Sequence, residues 1–292
     1  MGEYYELDKS TQYDMESIRR KKKLQKRKKK RRNIKIILTL ILFIGVIAGA
    51  GLSPFFNLTD INVKDTPHYT ADEIRAYALP LSGLNGFRAV ITDYVNIDRV
   101  IRLRFAATED KLSHTLPYID NVKVSYIPPS KVNINITERE PFAVVKSGDK
   151  MILVDKTGYV LQEIKENKNN YVQLNGLENV NTNIGEFFCE NHSEVMGLAE
   201  KIMTTFSELD GNEQNKIVPL INSINLGDIR MVKLFIDSRL VIVLGDVRNE
   251  DTLRYRGNYL KQLIFKFINK NDKGTIDFTM GDDPRFIPNK LN

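Results

Sequence analysis

Residues able to do chemistry are sparse in this chain, and their spacing decides how they read. Cys189-x-x-His192 has the separation of two metal ligands, but His68 and His114 lie far from it in sequence. Two ligands fall short of the four that a structural zinc site takes. Asp282-Asp283 sets two carboxylates side by side in a proline-containing tail, where a solvated turn is a simpler account than an acid–base pair. There is no glycine-rich phosphate loop and no serine nucleophile motif. The expectation is therefore no catalytic, cofactor-binding or metal site, and a protein that is not an enzyme. Cys189 is the single cysteine, so no intramolecular disulfide can form, and an exported domain would have to hold together by burial alone.

The charge is equally uneven. Between Arg19 and Arg32 there are 12 Lys or Arg in 14 residues and no acid, so removing that run from the total of +6 leaves −6 for the rest. An acidic body is a poor match for nucleic acid, whose phosphates are bound by spread basic contacts. Ile36 to Leu52 follows, 17 residues without a charge, and the uncharged stretch continues to Thr59. At about 1.5 Å per residue this is enough for a hydrocarbon core of about 30 Å. The spacing predicts a basic cytoplasmic tail over 1–33 and a transmembrane helix over 34–54, with the chain from Ser53 onward outside the cell by the positive-inside rule. Twelve basic residues exceed what orientation needs and suit contact with anionic lipid as well. A cleavable leader is the competing reading, with Ile36–Ile47 as its apolar part and Ala48-Gly49-Ala50 as the cleavage pattern. Against it, 35 residues precede the apolar part, far more than a usual leader. Gly45-x-x-x-Gly49 has the spacing that lets two membrane helices approach.

Beyond the span, the alternation of apolar residues predicts an α+β protein. Phe56, Leu58, Ile61 and Val63 read as a strand, and Thr70-x-x-Glu73 has capping-box spacing for a helix carrying Ile74, Tyr77 and Ala78. Residues 87–116 read as further helix, with Ile97, Val100, Ile101 and Phe105 on one side. Val122, Val124 and Tyr126 alternate before Pro128-Pro129, and Val132, Ile134 and Ile136 alternate after it, which predicts a hairpin. The second unit is strand-rich. Hairpins are expected around Ser147-Gly148-Asp149 and Asp237-Ser238, and a last strand over Thr275–Met280. Amphipathic helices carry Val195, Leu198, Ala199, Ile202, Phe206 and Leu209, then Leu253, Leu260, Leu263, Ile264 and Phe267. The tail from Gly281 reads as irregular.

These pieces, in this order, resemble the FtsQ/DivIB family of bacterial cell-division proteins. The resemblance rests on Phe56-x-Leu58-x-x-Ile61-x-Val63, Leu116-Pro117-Tyr118-Ile119-x-x-Val122-x-Val124, Glu138-Arg139-x-Pro141, Leu153-Val154-Asp155-x-x-Gly158, Leu174-x-Gly176, Ile184-Gly185, Val243-Leu244-Gly245 and Gly274-Thr275-Ile276-Asp277. It implies a POTRA domain over 55–139, a β domain over 140–280 and a C-terminal tail over 281–292. It also implies a role at the division septum through binding of single-span division proteins of the FtsB/DivIC and FtsL type. An exported POTRA-containing component of an envelope or translocation machine is the alternative. Partner capture is expected at the last strand, whose outer edge nothing later in the sequence looks able to cover. Ile276, Phe278 and Met280 share one face of it, and Phe286 is the candidate exposed anchor.

Overall fold

The computed structural model describes residues 9–93, 97–280 and 284–289, so Asp282-Asp283 and the first eight residues of the basic tail lie outside the described residues. The first helix, α1, runs unbroken over Lys9–Gly51, through the basic run and the apolar stretch alike. Lys, Arg and Leu are good helix formers, and no glycine or proline interrupts the helix between Lys9 and Gly45. Within α1, Gln25–Gly51 is long and apolar enough to cross a membrane and is unburied, the one such helix among the described residues. The Thr39 hydroxyl donates back to Lys35 O at 2.9 Å, which satisfies it within the helix.

In chain order there follow β1 (Asp60–Asn62), α2 (Ala71–Ala78), α3 (Gly86–Thr92), α4 (Ile97–Ile101), α5 (Ala106–Thr115), β2 (Ile119–Ile127) and β3 (Lys131–Glu138). After these come β4 (Pro141–Ser147), β5 (Lys150–Asp155), β6 (Val160–Ile164), β7 (Val172–Asn175), α6 (His192–Asp210), β8 (Ile221–Asn225), β9 (Val232–Ile236), β10 (Leu240–Gly245), α7 (Glu250–Gln262), β11 (Gly274–Asp277) and β12 (Arg285–Pro288). The fold is α+β, with a three-stranded sheet ordered β1-β3-β2 and a nine-stranded sheet ordered β12-β11-β10-β9-β8-β7-β4-β5-β6. The chain forms two compact units that do not follow chain order: Met1–Asn62, Ala78–Ala106 and Ser125–Asn133 make one, and Val63–Tyr77, Ala107–Val124 and Ile134–Asn292 the other.

In the first unit the chain leaves α1 through a 3-10 turn at Pro54–Phe56, and β1 has only three residues. The strand expected over Phe56–Val63 is thus much shorter. Leu58 is buried, but its amide donates to Leu84 O and its carbonyl accepts from Gly83 N, both at 2.8 Å, in a loop pairing. Asn85 uses both ends of its amide. Its Oδ1 accepts from Arg88 N at 3.1 Å, capping α3, and its Nδ2 donates to Gly51 O at 3.0 Å and Ser53 O at 3.1 Å. One side chain therefore joins the last turn of α1 to the first turn of α3. Gly86 is required next to it, since a Cβ there would lie 2.4 Å from the Tyr126 ring. Phe105 is buried, yet Ile97 and Ile101 are exposed, which corrects the expected shared apolar side. The helix stops at Ile101 and Leu103 takes a left-handed φ of 53°, so Phe105 faces elsewhere.

In the second unit the capping box forms as spelled. Thr70 N donates to Glu73 Oε2 at 2.8 Å and Glu73 N to Thr70 Oγ1 at 3.3 Å. The Thr70 amide, then its hydroxyl, holds the Glu73 carboxyl below the usual glutamate range. A folded value below the unfolded one means that the cap contributes fully above the ordinary range and is lost as pH falls through the lowered value. Thr70→Ala should move the Glu73 titration, followed by NMR, part of the way back up, because the amide bond survives and the hydroxyl bond does not.

The hairpins β4–β5 and β9–β10 are present, the second turning through Asp237 and Ser238, both at a φ of 53°. Helices α6 and α7 bury Val195, Leu198, Ala199, Ile202, Phe206, Leu253 and Leu260 in the same core as the sheet. α7 continues as a π-helical stretch, Leu263–Phe267, which buries Ile264 and leaves Phe267 exposed, against expectation. The wider turn rotates Phe267 off the apolar face. At the β6 end of the sheet, Val160 N donates to Glu186 O and Gly185 N to Val160 O, each at 2.9 Å.

Candidate partner-binding edge

The expected uncovered edge of β11 is covered. β12 pairs with it antiparallel, in the register Gly274↔Pro288, Thr275↔Ile287, Ile276↔Phe286 and Asp277↔Arg285. The tail taken as irregular thus supplies the last strand, and the strand expected over Thr275–Met280 ends at Asp277. Asp277 helps to end it, since its Oδ1 accepts from Thr279 N and from Thr279 Oγ1, both at 2.7 Å. β11 itself is set by its parallel pairing with β10, from Leu240↔Gly274 to Val243↔Asp277. Phe278 N extends that ladder to Val243 O at 3.0 Å. Gly274 is the close approach that admits β12, since a Cβ there would lie 2.5 Å from Ile287 O and 2.7 Å from the Phe286 ring.

The four residues singled out in the sequence therefore separate. Ile276 and Phe278 are core side chains, at 0% and 6% exposure, and Phe278 meets Tyr259 edge to face at 6.4 Å. They cannot present side chains to a partner in this fold. Phe286 is half-buried and packs against the core, so it is not the free anchor expected of it. Met280 is exposed, as is Ile287, which the sequence reading missed. The signal for β12 was there, in the apolar pair Phe286-Ile287 between two prolines.

What β12 offers outward follows from alternation. Asn289 N donates to Lys273 O at 2.9 Å, so that pair is hydrogen-bonded, and every second pair from it also is. The amides of Ile287 and Arg285 accordingly turn toward β11, and positions 286 and 288 turn away. Position 288 is proline and has no N–H, as is position 284 before the strand. β12 ends the sheet with one outward N–H, at Phe286, and with several outward carbonyls.

The other chemical candidates resolve more simply. His192 Nδ1 donates to Thr157 O at 2.7 Å, and its ring stacks on Phe187 at 3.8 Å. Burial raises the Cys189 thiol above its ordinary value. Among the described residues, no group of three or more His, Cys, Asp or Glu is placed to hold a metal ion.

Comparison with known proteins adds the decisive observation. The family model for the POTRA domain, FtsQ-type, matches residues 56–139. Cell division protein DivIB of Clostridium botulinum (strain Hall) is 27% identical over 258 residues, which cover 88% of this chain and 91% of that protein. DivIB of Clostridium acetobutylicum is 28% identical over 236 residues, 79% of this chain and 82% of that protein. The chain is similar to the FtsQ/DivIB family, through its POTRA domain and along most of its length. Cell division protein FtsQ of Novosphingobium aromaticivorans shares 36% identity over a shorter stretch of 66 residues, 23% of this chain and 20% of that protein. The matches support a cell-division protein with a POTRA domain and, among the described residues, one candidate membrane helix, and the alternative of a translocation component gains no support from these relatives.

Proposed function

We propose that the chain is a non-enzymatic, single-span divisome protein that binds other single-span division proteins outside the membrane and supports septum assembly. Its basic tail, residues 1–33, lies in the cytoplasm against anionic lipid. The POTRA domain, 55–139, and the β domain, 140–280, lie outside, at the division septum. The expected partners are proteins of the FtsB/DivIC and FtsL type. The observation that carries this reading is the end position of β12 in the nine-stranded sheet, with Ile287 exposed on it and Met280 exposed after β11. A partner strand added along β12 takes main-chain hydrogen bonds there and side-chain selectivity from those two residues. Ile276 and Phe278 act beneath that surface by holding β11 in place, and Phe286 by supplying the outward N–H.

The test is a double change, Met280→Glu with Ile287→Glu, in the full-length protein. Both side chains are exposed, so the melting transition should not move. Capture of the FtsB/DivIC- and FtsL-type partners from detergent-solubilised membranes should fall at least about tenfold, the loss of roughly 1.4 kcal/mol that one displaced anchor brings. Unchanged capture by a folded double variant would sink the edge-capture reading.

A further inference from the structure

The segment between α3 and β2 remains without a role, and its surface is unusual. Phe55 is 70% exposed, Ile91 62%, Ile97 68% and Ile101 74%, and Leu52 and Leu84 are also exposed. Single apolar residues on a surface need no explanation, but here they sit on consecutive elements of one compact unit. Of these elements, α3 is fastened to the end of α1. Asn85 bonds Gly51 O and Ser53 O while capping α3, and the Phe56 and Phe87 rings meet at 5.2 Å. The start of α3 is therefore held at the level where the apolar helix ends.

The charge on the same segment has a matching sign. Gly86 to Arg104 holds Arg88, Arg99, Arg102 and Arg104 against Asp93 and Asp98, a net +2 in a chain that outside its basic run carries −6. On α3, Arg88 and Ile91 are three residues apart, and on α4, Ile97 and Ile101 are four apart, so apolar and basic groups recur at helical spacing. Exposed isoleucine and phenylalanine with arginine, on short helices at the end of a span, make an interfacial surface.

We propose that α3 and α4 dock on the lipid surface of the bilayer that α1 crosses, at the Gly51 end of the span. The isoleucines enter the boundary between headgroups and acyl chains, and the arginines face anionic headgroups. The docking holds the unit down against the membrane. It rests on α1 being a span and is independent of partner capture at β12.

The chain has no tryptophan, so a single introduced indole reports alone. Full-length Ile91→Trp, Ile97→Trp and Ile101→Trp proteins are reconstituted in nanodiscs of phosphatidylcholine and phosphatidylglycerol, with plain or brominated acyl chains. Phe43→Trp, inside the apolar helix, sets full quenching, and Tyr255→Trp, exposed on α7, sets none. At least two of the three α3–α4 indoles should lose most of their emission in brominated discs, with melting transitions unchanged. Quenching that vanishes when phosphatidylglycerol is left out still supports docking and assigns it to the arginines. Indoles at all three positions as bright as Tyr255→Trp overturn the proposal. An unquenched Phe43→Trp overturns it too, by removing the span, and is distinguished from failure of partner capture because that is read by co-purification.

Discussion

Arg139→Ala is expected to destabilise the second unit by about 3–5 kcal/mol, the cost of removing one partner from a largely buried ion pair. Arg139 lies in the Glu138-Arg139-x-Pro141 motif and Asp155 in Leu153-Val154-Asp155-x-x-Gly158. The structure brings the two motifs together. Arg139 Nη1 donates to Asp155 Oδ2 at 2.8 Å and the guanidinium lies over the Tyr159 ring at 4.3 Å. The side chains are 18% and 6% exposed. Asp155 Oδ1 also accepts from Thr157 N at 2.8 Å, Thr157 Oγ1 at 2.7 Å and Tyr159 N at 3.0 Å, so the carboxylate builds the turn after β5. Removing the guanidinium leaves that buried charge without its counter-ion. Arg139→Lys should recover only part of the loss, since an ammonium neither spreads over the ring nor matches the fork geometry. Urea unfolding of both variants checks this. A loss below about 1 kcal/mol for the alanine variant would place the pair with ordinary surface bridges.

Phe206→Ala should cost about 3–5 kcal/mol, the range for truncating a fully buried aromatic side chain. Phe206 is on α6 at 0% exposure, and Gly257 on α7 faces it. A Cβ at Gly257 would stand 2.7 Å from Leu209 Cδ1 and 3.3 Å from the Phe206 ring. Gly257 therefore lets the two helices approach at the cost of helix propensity, about 1 kcal/mol relative to alanine. The two positions should couple. Gly257→Ala meets a crowded contact in the parent protein, but in the Phe206→Ala background the Leu209 side chain can shift into the vacated space and admit the methyl, which adds helix propensity. The double variant should be more stable than Phe206→Ala alone. Additive thermal denaturation data would show that α6 and α7 do not share this contact.

Sequence patterns were legible wherever one local rule acted alone. Thr70-x-x-Glu73 forms its box because both bonds lie within four residues. The alternation of Val122, Val124 and Tyr126 survives as buried positions of β2, since a strand with one wet face imposes period two. Reading failed where a tertiary partner reassigned an apolar residue. Leu58 looked like strand but pairs with the 83–84 loop. Ile97 and Ile101 looked like core and are exposed. β8 escaped notice because a bulge between Ile221 and Ser223 spoils its alternation. Of the candidate site, the sequence located the sheet end, but Ile276 and Phe278 belong to its interior. The short strand that closes it was hidden by prolines, which argue against strand unless the strand is at an edge.

Those prolines also bear on how the molecule behaves when crowded at a septum. A nine-stranded sheet open at both ends is a bifunctional monomer, able in principle to grow by adding copies at each side. Here the pairing of Val160 with Gly185 and Glu186 covers the start of β6 at one end. At the other, Pro284 and Pro288 leave a single N–H, at Phe286. A segment that brings its own donors can still be held there, whereas a second β12, poor in the same donors, is a bad match for the first. The sheet can end in a heterologous strand without propagating into a fibre.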